Sequence, residues 1–282
     1  GVALRTGREL QWRPMLLGGV FRAREVPQVL FKTLSPSKAH HNFADMHRWA
    51  EYWNVPLEMP SGHPFRSVEA LRATLAAPVE RRPALIHAMY RAYWVDKRDI
   101  SQRSVIRDVL NSVGLHDVPE GPFPDTIKED LKKETGEAIQ RGVFGAPATF
   151  IGDELYWGQD RLPMLEKRLG GNFPLPKVPL DRAPAREVEF FFDVSSPFAY
   201  LASTQIERWE REWGVPIRWR PLFLGGLFTS LGGPPVPLKT FSDAKREWIG
   251  EDIQRWATHW EVPFSWPTTF PRMTVRPMRM LL

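Results

Sequence analysis

Residues 187–221 read EVEFFFDVSSPFAYLASTQIERWEREWGVPIRWRP, and the pattern within this stretch decides the fold. Glu187–Val194 is an apolar, aromatic run that suits a buried strand. Over 198–213, Leu201, Ile206, Trp209 and Trp213 recur at helical spacing, and Gly214 follows as a usable C-cap. Ile217–Arg220 reads as a second strand, with Trp219 between two arginines. Strand, helix and strand in this order predict a βαβ unit.

The end of this stretch has a near copy earlier in the chain. Residues 10–22 are LQWRPMLLGGVFR and residues 217–229 are IRWRPLFLGGLFT, identical at seven of thirteen positions. Trp12 aligns with Trp219 at an offset of 207, and the register continues without a gap. Lys38, Asp45, Arg48, Trp49, Ala50, Trp53, Val55 and Pro56 recur as Lys245, Asp252, Arg255, Trp256, Ala257, Trp260, Val262 and Pro263. One register held over this length is read as a tandem duplication. The copies overlap only in part, because 187–207 would map before residue 1 and 76–186 would map beyond Leu282. Between them, 170–186 (GGNFPLPKVPLDRAPAR) has the Pro- and Gly-rich composition of a semi-extended linker.

The remaining segments complete the outline. Helical stretches are expected around 38–53, 66–76, 80–95, 101–113 and 125–141. Leu85, Met89 and Tyr93, at four-residue spacing, line one helical face. Ala148–Ile151 and Glu154–Trp157 form a hairpin around Gly152-Asp153, and 160–169 is a short helix. The whole order predicts an α/β fold, a thioredoxin-type core with an inserted helical subdomain. The expected organisation is a first copy over 1–169, a linker over 170–186, and the N-terminal part of a second copy over 187–282.

Composition narrows the chemistry. The 282 residues include 38 Lys+Arg against 33 Asp+Glu, a formal charge of +5, and no cysteine. Disulfides, Cys-ligated zinc, a Cys-x-x-Cys centre and a cysteine nucleophile are all excluded. Any thiol chemistry must borrow its thiol. The basic residues are scattered among acids, as in Arg103–Asp108, so the charge suits small carboxylates rather than a nucleic acid. No apolar run approaches the ~18 residues needed to span a bilayer, and residues 1–20 show no signal peptide. The expected location is therefore cytoplasmic. Residue 1 is Gly, as in a processed chain or a fragment.

Three constellations carry candidate chemistry. The first is Phe192–Tyr200 (FDVSSPFAY), where strand turns into helix. Ser195 or Ser196 there suits either a plain N-cap or an anion site built from a hydroxyl and free helix N–H groups. The second is Gly142–Phe150 (GVFGAPATF), in which Pro147 is either a simple turn or a cis-proline. In the cis reading, the preceding Ala146 offers its backbone to a peptide-like ligand. The third is Trp157–Leu162 (WGQDRL), where Asp160 either caps the next helix or receives an ammonium group, and Arg161 suits a solvated charge. His40, His41 and His47 lack a carboxylate at metal-ligand spacing, so no metal is expected. The Gly-Gly pairs at 18–19 and 225–226 each follow an expected strand, without a phosphate-loop fingerprint.

Together these residues resemble the 2-hydroxychromene-2-carboxylate isomerases, relatives of kappa-class glutathione transferases in the DsbA-like superfamily. The matching segments are FFFDVSSPFAYLA (190–202), WRPLFLGGLF (219–228), AYWVDKRDIS (92–101), GVFGAPATF (142–150) and LYWGQDRLPMLE (155–166). The resemblance implies glutathione as cofactor, which answers the missing cysteine. Ser196, immediately before Pro197, matches the serine that hydrogen-bonds the glutathione sulfur. Ala146 and Pro147 match the backbone site for the cysteinyl moiety, and Gln159 and Asp160 match the pair holding the γ-glutamyl end. The implied activity is glutathione-dependent isomerisation of an aromatic carboxylate. A kappa-like transferase or a non-catalytic thioredoxin-like binding module is the alternative. Relatives carry an Asn before Pro-Pro where this chain has Leu231-Gly-Gly-Pro-Pro235. Ser196 and Pro147 belong to different copies, so either one composite site is assembled, within the chain or by strand exchange in a homodimer, or the chain is part of a longer double-domain protein.

Overall fold

The computed structural model describes residues 1–29, 33–172 and 187–282, arranged as two compact units, 1–178 and 179–282. The division falls inside the expected linker, most of which (173–186) lies outside the described residues. No helix among the described residues is long and apolar enough to cross a membrane.

The first unit is mainly helical: α1 (Val2–Thr6), α2 (Leu17–Ala23), α3 (Pro36–Trp53), α4 (Val68–Ala76), α5 (Arg82–Trp94), α6 (Arg103–Ser112) and α7 (Asp125–Gln140). A hairpin follows, β1 (Ala148–Ile151) and β2 (Glu154–Trp157), then α8 (Leu162–Arg168). The apolar stripe of α5 drives the packing, as Leu85, Met89 and Tyr93 are all buried. They join Ala73 of α4, Ile106 and Leu110 of α6, and Phe123 in one core. Removing these side chains from water is the main force holding the helical block together. At the unit's other end, Arg5 makes a two-pronged bond to the fully buried Glu166 of α8, at 2.8 and 2.6 Å. The hairpin has the expected register, from Ala148 opposite Trp157 to Ile151 opposite Glu154.

The second unit contains β3 (Val188–Phe192), α9 (Pro197–Ser203), α10 (Ile206–Trp213), β4 (Ile217–Pro221), α11 (Leu224–Ser230), α12 (Asp243–His259) and α13 (Val275–Met280). β3 and β4 pair in parallel, Val188 opposite Ile217 through Phe192 opposite Pro221. Trp219 stands edge-on to Phe190 and Phe192, with centroids 5.3 and 5.2 Å away. Leu201, Ile206, Ile217, Trp248, Ile253 and Met278 are buried.

Two expectations need correction. The single helix expected over 198–213 is broken between α9 and α10. Ser203 and Thr204 donate their hydroxyls to the carbonyls of Tyr200 and Leu201, both at 2.7 Å, competing with the helical ladder at the break. The strand expected before Gly18-Gly19 is also absent, for residues 10–14 form no ladder. A strand requires a partner, and the sequence equivalent of β4 has none among the described residues of its unit.

The 207-residue offset extends to local geometry. α2 and α11 begin and end at matching positions, as do the starts of α3 and α12 and of α4 and α13. Gly7 and Gly214 are left-handed C-caps with φ of 63° and 65°. Glu25 and Gly232 share positive φ, as do Asn54 and Glu261, and Pro64 and Pro271 both follow cis bonds.

Candidate functional site

In the second unit, the chain leaving β3 builds a loop rather than running straight into α9. Asp193 is 2% exposed and accepts four hydrogen bonds, each 2.9 Å long. Its Oδ1 takes the Ser195 N–H and hydroxyl, and its Oδ2 takes the Leu224 N–H and the Thr274 hydroxyl. Burial alone pushes a carboxyl up. The bonds from Leu224, Ser195 and Thr274 outweigh it and hold Asp193 below the usual carboxylate range.

Ser196 is the N-cap of α9, with Pro197 in the first turn. Its Oγ accepts the Ala199 N–H at 3.2 Å. The two readings of this serine are compatible, because a hydroxyl that accepts through a lone pair keeps its hydrogen for another acceptor. α9 has only seven residues, so the hydroxyl rather than a long helix dipole must supply most of any stabilisation of an anion here.

Ser195, Ser196 and Pro197 line a cleft of about 560 Å³, a size suited to a small organic ligand. Tyr200 and residues of the 263–277 segment supply the rest of the lining. Tyr200, Phe264, Trp266 and Phe270 form a chain of neighbouring rings, with centroids 6.4, 5.3 and 4.9 Å apart in turn. Tyr200 is anchored by donating to the Pro263 carbonyl at 2.7 Å. Arg272 also lines the cleft. Aromatic walls beside one cation suit a flat, anionic molecule.

The first unit brings together the other predicted residues. Ala146-Pro147 is cis, the second of the two readings of Pro147. The Pro147 carbonyl accepts the Gly158 N–H at 3.0 Å, extending the hairpin register by one pair. Ala146, Pro147, Gln159 and Asp160 therefore lie at one end of the hairpin. Gly158 has φ of 97°, and a Cβ there would stand 2.5 Å from Asp160 Oδ1, so this close turn requires glycine. Asp160 does not cap the following helix, because its carboxylate pairs with Arg161. Arg161 is correspondingly no solvated charge, its side chain being 14% exposed.

Sequence reading missed Asp193 and the wall at 264–274. The signal for that wall was the difference between the segments related by the offset: Phe264, Trp266, Phe270 and Arg272 stand where the offset places Leu57, Met59, His63 and Phe65.

Comparison with known proteins gives a consistent picture. The family described as "DSBA-like thioredoxin domain" matches residues 2–170 and 187–282. A 2-hydroxychromene-2-carboxylate isomerase from Pseudomonas sp. (strain C18) is 33% identical over 132 residues, covering 45% of this chain and 60% of that protein. That match spans less than two thirds of the relative's length. The enzyme of the same name from Sphingobium xenophagum is 30% identical over 181 residues, 60% of this chain and 86% of its own. Glutathione S-transferase kappa 2 of Caenorhabditis elegans is 31% identical over 185 residues, 59% of this chain and 81% of its own. A solved structure of a 2-hydroxychromene-2-carboxylate isomerase superposes with a TM-score of 0.53 at 24% identity. It covers 60% of this chain and 83% of that one, a likeness of fold.

Proposed function

Because this chain belongs to the DSBA-like thioredoxin domain family, we propose that it is a glutathione-dependent isomerase acting on an aromatic carboxylate of the 2-hydroxychromene-2-carboxylate type. The observation that carries this reading is Ser196 at the edge of a cleft walled by Tyr200, Phe264, Trp266 and Phe270 and supplied with Arg272. The names of the relatives support it.

Each unit, taken by itself, carries residues that suit part of glutathione. Ser196 keeps a hydroxyl hydrogen to donate to a sulfur anion, and the cis-Pro147 turn presents the Ala146 backbone as an edge for an extended peptide. Gln159 offers an amide, and the Asp160 carboxylate can take an ammonium group while remaining beside Arg161. Bound glutathione would supply a thiolate that adds reversibly to a conjugated carbon, so that the bond beside it can rotate.

The chain's own work is binding, orientation and charge. Donation from Ser196 favours thiolate over thiol. Lowering a thiol pKa from ~8.5 by about two units raises the thiolate share at pH 7 from ~3% to roughly three quarters. Arg272 would hold the substrate carboxylate while the rings clamp its aromatic face. Tandem duplication is part of the same reading, supported by the shared offset of sequence and local geometry.

Titration with glutathione, followed by ultraviolet thiolate absorbance in wild type and Ser196→Ala, tests this function. Saturable binding with a serine-dependent thiolate is expected; absence of glutathione binding would overturn it. The kappa relative supports a transferase as second reading. Turnover that consumes glutathione, rather than returning it unchanged, would favour that reading.

A further inference from the structure

Asp193 is buried, charged and absent from the chemistry proposed above, yet it joins three parts of the second unit. Its bonds reach Ser195 in the adjoining loop, Leu224 at the start of α11, 31 residues away, and Thr274 before α13, 81 residues away. Two residues that line the cleft, Ser195 and Thr274, are therefore fastened to one carboxylate.

The chemistry of the four bonds specifies an aspartate. All four donors point at oxygen, two at each atom, so the group acts only as an acceptor and its ionised form is the one that fits. An asparagine of the same shape would turn an NH2 toward either the Ser195 pair or the Leu224–Thr274 pair, setting donor against donor. A bond to Thr274 needs only a hydroxyl, so serine can replace threonine there. The residue at the matching offset in the first copy is Ser67.

We propose that Asp193 is a positioning residue that clamps the serine loop to the Thr274 wall and thereby sets the aim of the Ser196 hydroxyl. It touches neither substrate nor glutathione in this role. The clamp itself rests on the hydrogen bonds alone; its effect on the thiol rests on the function proposed above.

The full chain carrying Asp193→Asn, Thr274→Val or Thr274→Ser tests the clamp by amide hydrogen exchange, alongside the glutathione titration. In Asp193→Asn, exchange at the Ser195 and Leu224 amides is expected to accelerate at least tenfold more than at Ile253 and Ala257 in α12. Bound glutathione should still be detected, with its thiol titrating at higher pH than in wild type. Thr274→Val should show a smaller change of the same kind, and Thr274→Ser should restore wild-type behaviour.

Equal acceleration at all four amides, or none at Ser195 and Leu224, would overturn the clamp. If Asp193→Asn does not fold, an unchanged local exchange pattern in Thr274→Val would overturn it instead. Localised exchange in a chain that binds no glutathione would leave the clamp standing and remove the glutathione function. A wild-type thiol titration in a folded Asp193→Asn protein would remove the link between clamp and serine.

Discussion

Residues 10–14 (LQWRP) and 217–221 (IRWRP) are nearly the same peptide in different structures. The second is β4, hydrogen-bonded along β3 with Trp219 against Phe190 and Phe192. The first joins no ladder, and Trp12 instead meets the edge of His87 at 5.4 Å. Strand propensity describes what a peptide can join, and the partner decides whether it joins. The longer helices make the same point. α12 buries Trp248, Ile249, Asp252, Ile253 and Ala257, whereas its counterpart α3 buries no residue fully. α12 packs against α9, and the 207-residue offset gives α9 no equivalent in the first unit.

That contrast predicts the largest energetic difference between the units. Ile253 is fully buried, and Met46 at the matching position is only partly so. Ile253→Ala should cost about 2–5 kcal/mol through lost burial and a residual cavity. Met46→Ala should cost less than about 1 kcal/mol, as a partly solvated site leaves no closed cavity. Denaturant unfolding of each variant measures both values, and equal costs would show that the two helices are packed alike.

The chemical contrast comes next. The serine segment occurs in the second unit alone, where the cleft has its aromatic wall. Ser196→Ala should lower glutathione-supported turnover by about 100-fold, the scale for removing one preorganised donor from a developing anion. It should leave folding nearly unchanged apart from the lost cap, worth about 1 kcal/mol. A turnover loss below threefold would assign the hydroxyl to capping. Arg272→Ala should act on substrate affinity, raising KM for a carboxylate substrate by about tenfold with kcat nearly constant. An uncharged ester analogue should lose this dependence; equal effects on acid and ester would remove Arg272 from carboxylate recognition.

Local patterns made much of this molecule legible. The α5 stripe, the β1–β2 hairpin, the parallel pair 188–192 and 217–221, and the cap at Gly214 each depend on neighbours or fixed spacing, and each was readable from the sequence. The break between α9 and α10 was not, because hydroxyl-to-carbonyl bonds at Ser203 and Thr204 compete with periodicity that otherwise continues. Asp193 was hidden for a different reason. Its meaning lies in donors 31 and 81 residues away, which no local spacing brings together. The Asp160–Arg161 pair shows the reverse failure, for two adjacent opposite charges satisfied one another where each had been read alone.

The smallest effects come from exchanging residues between matching turns. Glu25 has φ of 55° where the offset places Gly232 with φ of 76°. A side chain in this region pays a steric penalty that glycine avoids, while glycine gives the unfolded chain more freedom to lose. The steric term, about 1–2 kcal/mol, is the larger at a position held left-handed. Glu25→Gly should therefore stabilise the first unit by a few tenths to about 1 kcal/mol. At the second turn, Glu261 has φ of 57° where the offset places Asn54 with φ of 50°. Asparagine tolerates this conformation better than glutamate, so Glu261→Asn should stabilise by a smaller amount and Asn54→Glu should destabilise by a similar one. Paired thermal melts of the two reciprocal variants test the sign, which depends only on shared backbone geometry. If Glu261→Asn and Asn54→Glu both destabilise, each turn is tuned to its own surroundings, and the likeness of the two segments ends at the backbone.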